Sequence, residues 1–378
     1  MKKLITLIIV LAFSLPLMVN AQGCMEPKSD DGVSIIGYIQ PQFNYYSNGY
    51  DKNSEGISEY SSFMFKRARL GVTGQIPYDF SYYVMAEFSP FLFGPDGGVG
   101  TGPYLLDAFI TYKRLGPWLN VSIGQFKSPF GLELTTPCQS LHTIDRSLAV
   151  RILASPFRDM GIMLSGGTDS LEIFGLTNKN IISYKLALTN GVGINKWDDN
   201  KSKDITGRII LSPWKFIKLG GSYRTGKHFV DATKPDGQNV MRYGGDIELG
   251  FGNFLLQGEY IYGEDKDYHS TGSGGGGCGG GTGGLAPGTV KKEGFFVQVM
   301  YMTGWRLQPI VKYEYYDPNI MSTGKDDNII SGTFGLNYFF NDWTRIQLNY
   351  VVSDYQKNSI PTDDYYLNKF EVQVQVIF

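Results

Sequence analysis

The chain has 378 residues and a formal net charge of −2, with 34 Lys and Arg against 36 Asp and Glu. That balance argues against nucleic acid as a partner, and three Cys (Cys24, Cys138, Cys278) with three scattered His (His142, His228, His269) give neither a disulfide framework nor metal-ligand spacing. The 25 Tyr, 24 Phe and 48 Gly lean towards β-structure, and beyond the N-terminus no stretch approaches the ~20 apolar residues of a membrane helix.

The N-terminus reads as a secretory signal, residues 1–21. Lys2 and Lys3 form a positive region, Leu4 to Met18 an apolar core, and Val19-Asn20-Ala21 a small-residue cleavage site. Lipoprotein processing at Cys24 is the alternative, but Ala21 stands where that signal usually has Leu. Removing Lys2 and Lys3 with the signal takes the charge from −2 to −4. Residues 22–33 then form a short periplasmic segment.

From residue 34 onwards, segments of about nine to thirteen residues alternate apolar and polar side chains, as tilted membrane strands do. Strands are predicted at 34–46, 62–75, 79–90, 104–113, 118–126, 159–166, 182–190, 204–212, 216–225, 240–251, 253–263, 294–303, 306–316, 328–338, 343–353 and 368–378. The expected fold is all-β: a transmembrane antiparallel barrel of sixteen strands over 34–378. Within 167–181, Leu171 to Leu176 reads either as a strand or as part of a longer turn. Connections after even-numbered strands are mostly short, such as Pro213-Trp214 and Asn341-Asp342. Those after odd-numbered strands are long: 47–61, 91–103, 127–158, 191–203, 226–239, 264–293, 317–327 and 354–367. Short turns at one end and long loops at the other are the outer-membrane barrel pattern, with both termini at the periplasmic end. Within the loop 264–293, the run 272–288 is Gly-rich and of low complexity, with Cys278 at its tip.

Trp118, Trp214, Trp305 and Trp343 all fall in or beside short turns, as an interfacial girdle would place them. The faces agree. In 343–353, Ile346, Leu348, Tyr350 and Val352 oppose Arg345, Gln347 and Asn349. The last strand places Phe370, Val372, Val374, Val376 and Phe378 on one face. It resembles the terminal strand by which outer-membrane barrels engage their assembly machinery, which makes that machinery an expected partner.

Two stretches carry a family resemblance: Phe65-Lys-Arg-Ala-Arg-Leu-Gly-Val72 and Gly124-Gln-Phe-Lys-Ser-Pro-Phe-Gly-Leu-Glu133. Leu106-Asp-Ala-Phe-Ile-Thr-Tyr112, Asp145-Arg-Ser147 and Arg158-Asp-Met-Gly161 add to it. The chain resembles the phosphate-selective porin O and P family, most specifically over 62–166. The resemblance implies a sixteen-stranded outer-membrane porin of a Gram-negative bacterium, usually trimeric, with a basic pore and an inward-folded third long loop. Family members known for phosphate selectivity have richly basic lumens, whereas the mature chain here is acidic.

Strand parity makes 127–158 the third long loop and the longest. Face assignment puts Arg67, Arg69, Lys113, Lys185, Arg208, Lys218, Arg224, Arg242, Arg306, Lys312 and Arg345 in the lumen. Against them stand Glu87, Asp107, Asp246, Glu248, Glu259, Glu314 and Glu371, which leaves an excess of bases and so a field that favours anions. Arg67, Arg69, Lys127, Arg146, Arg151 and Arg158 are the candidate pore and anion-binding residues. The bland alternative is that some pair with Glu133, Asp145 or Glu87 and only fasten the loop to the wall. Strict alternation turns Lys66 towards lipid with Met64, Ala68 and Leu70. A bulge or a register slip would put Lys66 inside and Arg67 outside.

The expected function is a water-filled pore for passive diffusion of small hydrophilic solutes, anions first, with phosphate included by the resemblance. Lipids and small anions are the expected partners, and no metal or cofactor is expected. A structural or adhesin-like barrel is the second reading. A barrel hydrolase is the third, and the chain is read as not an enzyme: Ser140, His142 and Asp145 are its only local catalytic-type cluster, and no Gly-x-Ser-x-Gly elbow occurs.

Overall fold

The computed structural model describes residues 33–51, 56–76, 79–89, 103–168, 171–173, 176–178, 181–228, 237–268, 288–321, 327–355 and 365–378. The expected signal 1–21, Cys24, His269 and residues 272–287 of the Gly-rich run, with Cys278, lie outside these residues.

Sixteen strands form the barrel: β1 (Val33–Asp51), β2 (Gly56–Ile76), β3 (Phe80–Glu87), β4 (Tyr104–Tyr112), β5 (Asn120–Lys127), β6 (Arg158–Gly167), β7 (Ile182–Thr189), β8 (Asp204–Trp214), β9 (Ile217–His228), β10 (Gln238–Phe251), β11 (Phe254–Tyr268), β12 (Gly288–Tyr301), β13 (Leu307–Asp317), β14 (Ile329–Phe339), β15 (Thr344–Tyr355) and β16 (Tyr365–Ile377). Each pairs antiparallel with its neighbour, and β16 pairs with β1 to close the sheet. At the seam, Gly37 N donates to Phe378 O at 2.8 Å and Phe378 N to Gly37 O at 2.9 Å. Closure leaves no unpaired edge, as a spanning sheet requires.

The period of two decides what each strand shows to each side. On β13, Val311 and Tyr313 are exposed on the outside while Lys312 is buried inside. The strand heights differ. β10, β11 and β12 run 14, 15 and 14 residues. β3, β5 and β7 have only 8 each, and together with β4 they make one side of the barrel low.

Several positions depart from the sequence reading. Residues 47–51 and 56–61 are strand rather than loop, because β1 and β2 continue as one hairpin ladder to Asp51↔Gly56. In the same way, 264–268 and 288–293 belong to β11 and β12, so the outer connection is shorter than 264–293. The interval 167–181 holds two very short strands, Leu171–Ile173 and Leu176–Asn178, paired with each other outside the barrel sheet. Arg306 does not face the lumen. It sits at φ 61 in the turn before β13, with Nη1 donating to Phe340 O at 2.6 Å.

Lys66 is resolved by a bulge. The β1–β2 register slips where Gln40 faces Arg67 and Pro41 faces Phe65, leaving Lys66 as the extra residue. Both side chains turn inwards. Arg67 Nη1 donates to Gln40 Oε1 at 2.8 Å, and Lys66 Nζ lies 2.6 Å from Asp145 Oδ1. Phe63 and Phe65 then face outwards and are exposed.

Candidate functional site: the segment across the lumen

Residues 128–157 connect β5 to β6 through the inside of the barrel. The base is tied by Ser128, whose N donates to Phe157 O at 2.9 Å and whose Oγ donates to Pro156 O at 2.8 Å. The segment then turns at Gly131 (φ 67), whose N donates to Ser222 Oγ at 3.0 Å. With φ 67 and ψ 173 the backbone strongly favours glycine, and a Cβ there would also press on Glu259 Oε1. Two short helices follow, α1 (Leu132–Thr135) and α2 (Leu148–Leu153). Ser147 caps α2 by accepting from Val150 N at 3.3 Å.

Three attachments hold the segment to the wall. The first is apolar. Phe130, Leu134, Ala149, Val150, Leu153 and Phe157 pack on Ile261, Phe296 and Tyr316, inward-facing residues of β11, β12 and β13. Glycine at 294 makes room, since a Cβ there would approach Ala149 Cβ to 2.6 Å. The second is ionic. Lys312 Nζ lies 2.7 Å from Glu133 Oε1, Ser147 N donates to Glu133 Oε2 at 2.6 Å, and Glu133 N donates to Glu259 Oε2 at 2.8 Å. The third fixes the far end. Arg345 Nη2 donates to Gln139 O at 2.8 Å, Asn337 Nδ2 to His142 O at 2.9 Å, and Asp145 bridges Lys66 and Lys369, each at 2.6 Å.

The candidate residues fall into two groups. Arg69 and Arg158 are paired: Arg69 Nε is 2.6 Å from Glu87 Oε2, and Arg158 Nε is 3.0 Å from Asp107 Oδ1. Arg67 and Arg146 have no carboxylate partner among the described residues. Arg67 donates to an amide, while Arg146 Nε and Nη2 donate to the carbonyls of Glu133 at 2.9 Å and Thr136 at 2.8 Å. Lys127 Nζ donates to Thr136 O at 3.2 Å. Arg151 lies half-buried in the last turn of α2.

Sequence reasoning assigned Arg345 to the lumen without singling it out. It too has no carboxylate partner among the described residues, and its Nη2 also reaches Gln375 Oε1 at 3.0 Å. Elsewhere the excess of bases shrinks, because Asp204 and Asp265, at strand ends, turn inwards. They pair with Arg224 at 3.0 Å and Arg242 at 2.6 Å. Arg67 and Arg345 on the wall of β2 and β15, and Arg146 on the segment that meets it, thus form a cluster of cations without a carboxylate partner among the described residues.

At its centre lies Cys138, buried and free, with Arg69 Nη1 at 3.3 Å and Arg146 Nη1 at 3.5 Å from Sγ. Burial works to raise this thiol, but Arg146, Arg67, Arg69 and Lys127 outweigh it and hold the thiol well below its usual range. Burial also opposes the Asp145 carboxylate, yet Lys369, Lys66 and Arg151 hold it well below the carboxylate range.

Burial and the adjacent Arg345 guanidinium push His142 down to about 4. A His in the unfolded chain titrates near ~6.5. Docking of the neutral imidazole is thus fully favourable above ~6.5 and weakens as pH falls towards the lowered value. Asp145 stays ionised across that window. Single-channel records are expected to show more conductance fluctuation near pH ~4.5 than near ~7, and His142→Gln is expected to remove the difference.

The profile of the family described as phosphate-selective porin O and P matches residues 39–169 and 198–378. No curated protein matches the chain. Among solved structures, an anion-selective porin from Comamonas acidovorans superposes with a TM-score of 0.65 at 13% identity, covering 92% of this chain and 99% of that one. A loop-deletion mutant of OmpT from Vibrio cholerae gives 0.60 at 13%, covering 93% and 100%. OmpF of Salmonella typhi, in complex with daunomycin, gives 0.58 at 14%, covering 92% and 98%.

Proposed function

The chain belongs to the phosphate-selective porin O and P family and forms an outer-membrane channel, and on that premise we propose that the channel passes small anions by diffusion through a throat set by residues 128–157. The supporting observation is the guanidinium cluster. Arg67, Arg146 and Arg345 are nearly buried and have no carboxylate partner among the described residues. Arg69, Lys127, Arg151 and Arg158 add to the field, two of them behind a carboxylate. Apart from the Cys138 thiol held low beside Arg146 and Arg69, the cluster has no anion among the described residues to offset Arg67, Arg146 and Arg345, and a desolvated guanidinium in that state favours any anion that replaces its lost hydration. Its planar fork suits oxyanions, phosphate included. Planar-bilayer reversal potentials in a potassium chloride gradient are expected to show chloride preferred over potassium. Cation preference would sink this reading.

One observation favours the structural-barrel reading: lumen-facing Gln347 and Lys312 are only 1% and 2% exposed, so the segment fills much of the interior. Absence of any conductance would support that reading.

The low side of the barrel bears on assembly. A strand of 8 residues, tilted by ~45°, rises about 19 Å, less than the ~25 Å apolar band of such barrels. Covering that side with further copies, as in a homotrimer, removes the mismatch. An OmpT structure from Vibrio cholerae is described as a trimer form.

A further inference from the structure

The wall that carries the guanidinium cluster is also rich in carboxamides. Gln40 and Gln42 on β1, Gln373 and Gln375 on β16, Gln347 on β15 and Asn337 on β14 all face inwards and are nearly fully buried. They bond to one another: Gln40 Nε2 to Gln375 Oε1 at 2.7 Å, Gln373 Nε2 to Gln42 Oε1 at 2.8 Å, and Gln347 Nε2 to Asn337 Oδ1 at 3.1 Å. They also join the cations, through Arg67 on Gln40 and Arg345 on Gln375. Some of this lattice is used to hold the inner segment, since Gln375, Gln347 and Asn337 donate to the carbonyls of Gln139 and His142.

The rest is not used up. Gln373 Oε1 and Arg345 Nε are both buried without a hydrogen-bond partner among the described residues. Gln373 precedes Gln375 on the same inward face of β16, about 7 Å away along the strand. An unused acceptor and an unused charged donor therefore sit on one wall. A buried polar group without a partner costs ~1–3 kcal/mol; both atoms are covered in this conformation, so a solute supplies the missing bond only as the inner segment yields at Gln139 and His142.

A small inorganic anion uses the guanidiniums but gains little from neutral amides. A hydroxyl both donates and accepts, as a carboxamide does, so the two match along a chain of sites. We propose that the throat selects polyhydroxylated organic anions: a single carboxylate on a sugar-derived skeleton. The carboxylate lies at Arg67 and Arg345, and the hydroxyls lie along Gln373 and the amides beside it. This rests on the anion reading above and names the solute class of the same site.

The test uses the intact porin in planar bilayers carrying chloride current, with gluconate or hexanoate added. The two anions share a charge and a six-carbon chain and differ in hydroxyls. Gluconate is expected to half-block the current at about a tenth of the hexanoate concentration, as one to two net hydrogen bonds would give. Gln373→Leu is expected to bring that ratio close to one. Equal block by the two anions in a chloride-preferring channel overturns this inference and leaves the anion reading standing. A potassium-preferring channel overturns both. A tenfold ratio that Gln373→Leu leaves intact overturns the assignment to this wall.

Discussion

Exchanging Arg67 and Arg345 together for Gln is expected to lower the chloride-over-potassium permeability ratio by more than about tenfold, since each charge within several ångströms of the passing ion contributes roughly 1 kcal/mol at a dielectric between water and protein. The variant should still assemble. Neither guanidinium neutralises a carboxylate among the described residues, and Gln keeps a donor near Gln40 and Gln375. Arg158→Gln makes the contrast. It strands Asp107, which is itself nearly buried, and an unpaired buried charge costs ~3–5 kcal/mol. That variant is expected to lose heat-modifiable barrel rather than to change selectivity. A double variant with an unaltered reversal potential would place the selectivity elsewhere in the lumen.

The second large effect is expected at Val150. This residue is fully buried between α2 and the seat formed by Ile261 and Phe296. Val150→Asp sets a carboxylate against apolar side chains, at a cost of several kcal/mol unless the segment lifts away. The barrel strands keep every ladder bond, so the heat-modifiable band should persist. The freed segment should become cleavable within 128–157, and single-channel conductance should rise severalfold. Unchanged conductance would mean that the segment does not limit the pore.

The sixteen strands were legible because a barrel wall between lipid and water imposes a period of two, and one face must be apolar. The hairpin of β1 and β2 runs past its predicted ends because the extra residues, 47–51 and 56–61, are mostly polar or Gly, so apolar alternation no longer marks a strand there. The bulge at Lys66 was hidden for a related reason: Phe63, Phe65, Ala68 and Leu70 each satisfy a local alternation, and only the phase changes between them. Of the candidate residues, Arg67 and Arg146 carry their charge without a carboxylate partner among the described residues, whereas Arg69 pairs with Glu87 on the next strand and Arg158 with Asp107 two strands away, contacts that spacing along the chain does not reveal. The apolar seat did leave a signal. Ile261 and Phe296 occupy inward positions on strands whose other inward residues include Gln257, Glu259 and Gln298, and an apolar residue there needs something inside to pack against.

The seam between β1 and β16 has a consequence for how the wall is made. Its bonds join the two ends of the sheet, and the Gln40–Gln375 contact spans 335 positions. While β16 is being supplied, β1 and β15 both present open edges, which invite pairing with the wrong chain. The arginine wall is built on this same seam, because Gln40, Gln375 and Arg345 meet only once it has formed. A barrel that fails to zip up there is both an aggregation hazard and a channel without its filter, so one quality-control event covers solubility and selectivity together.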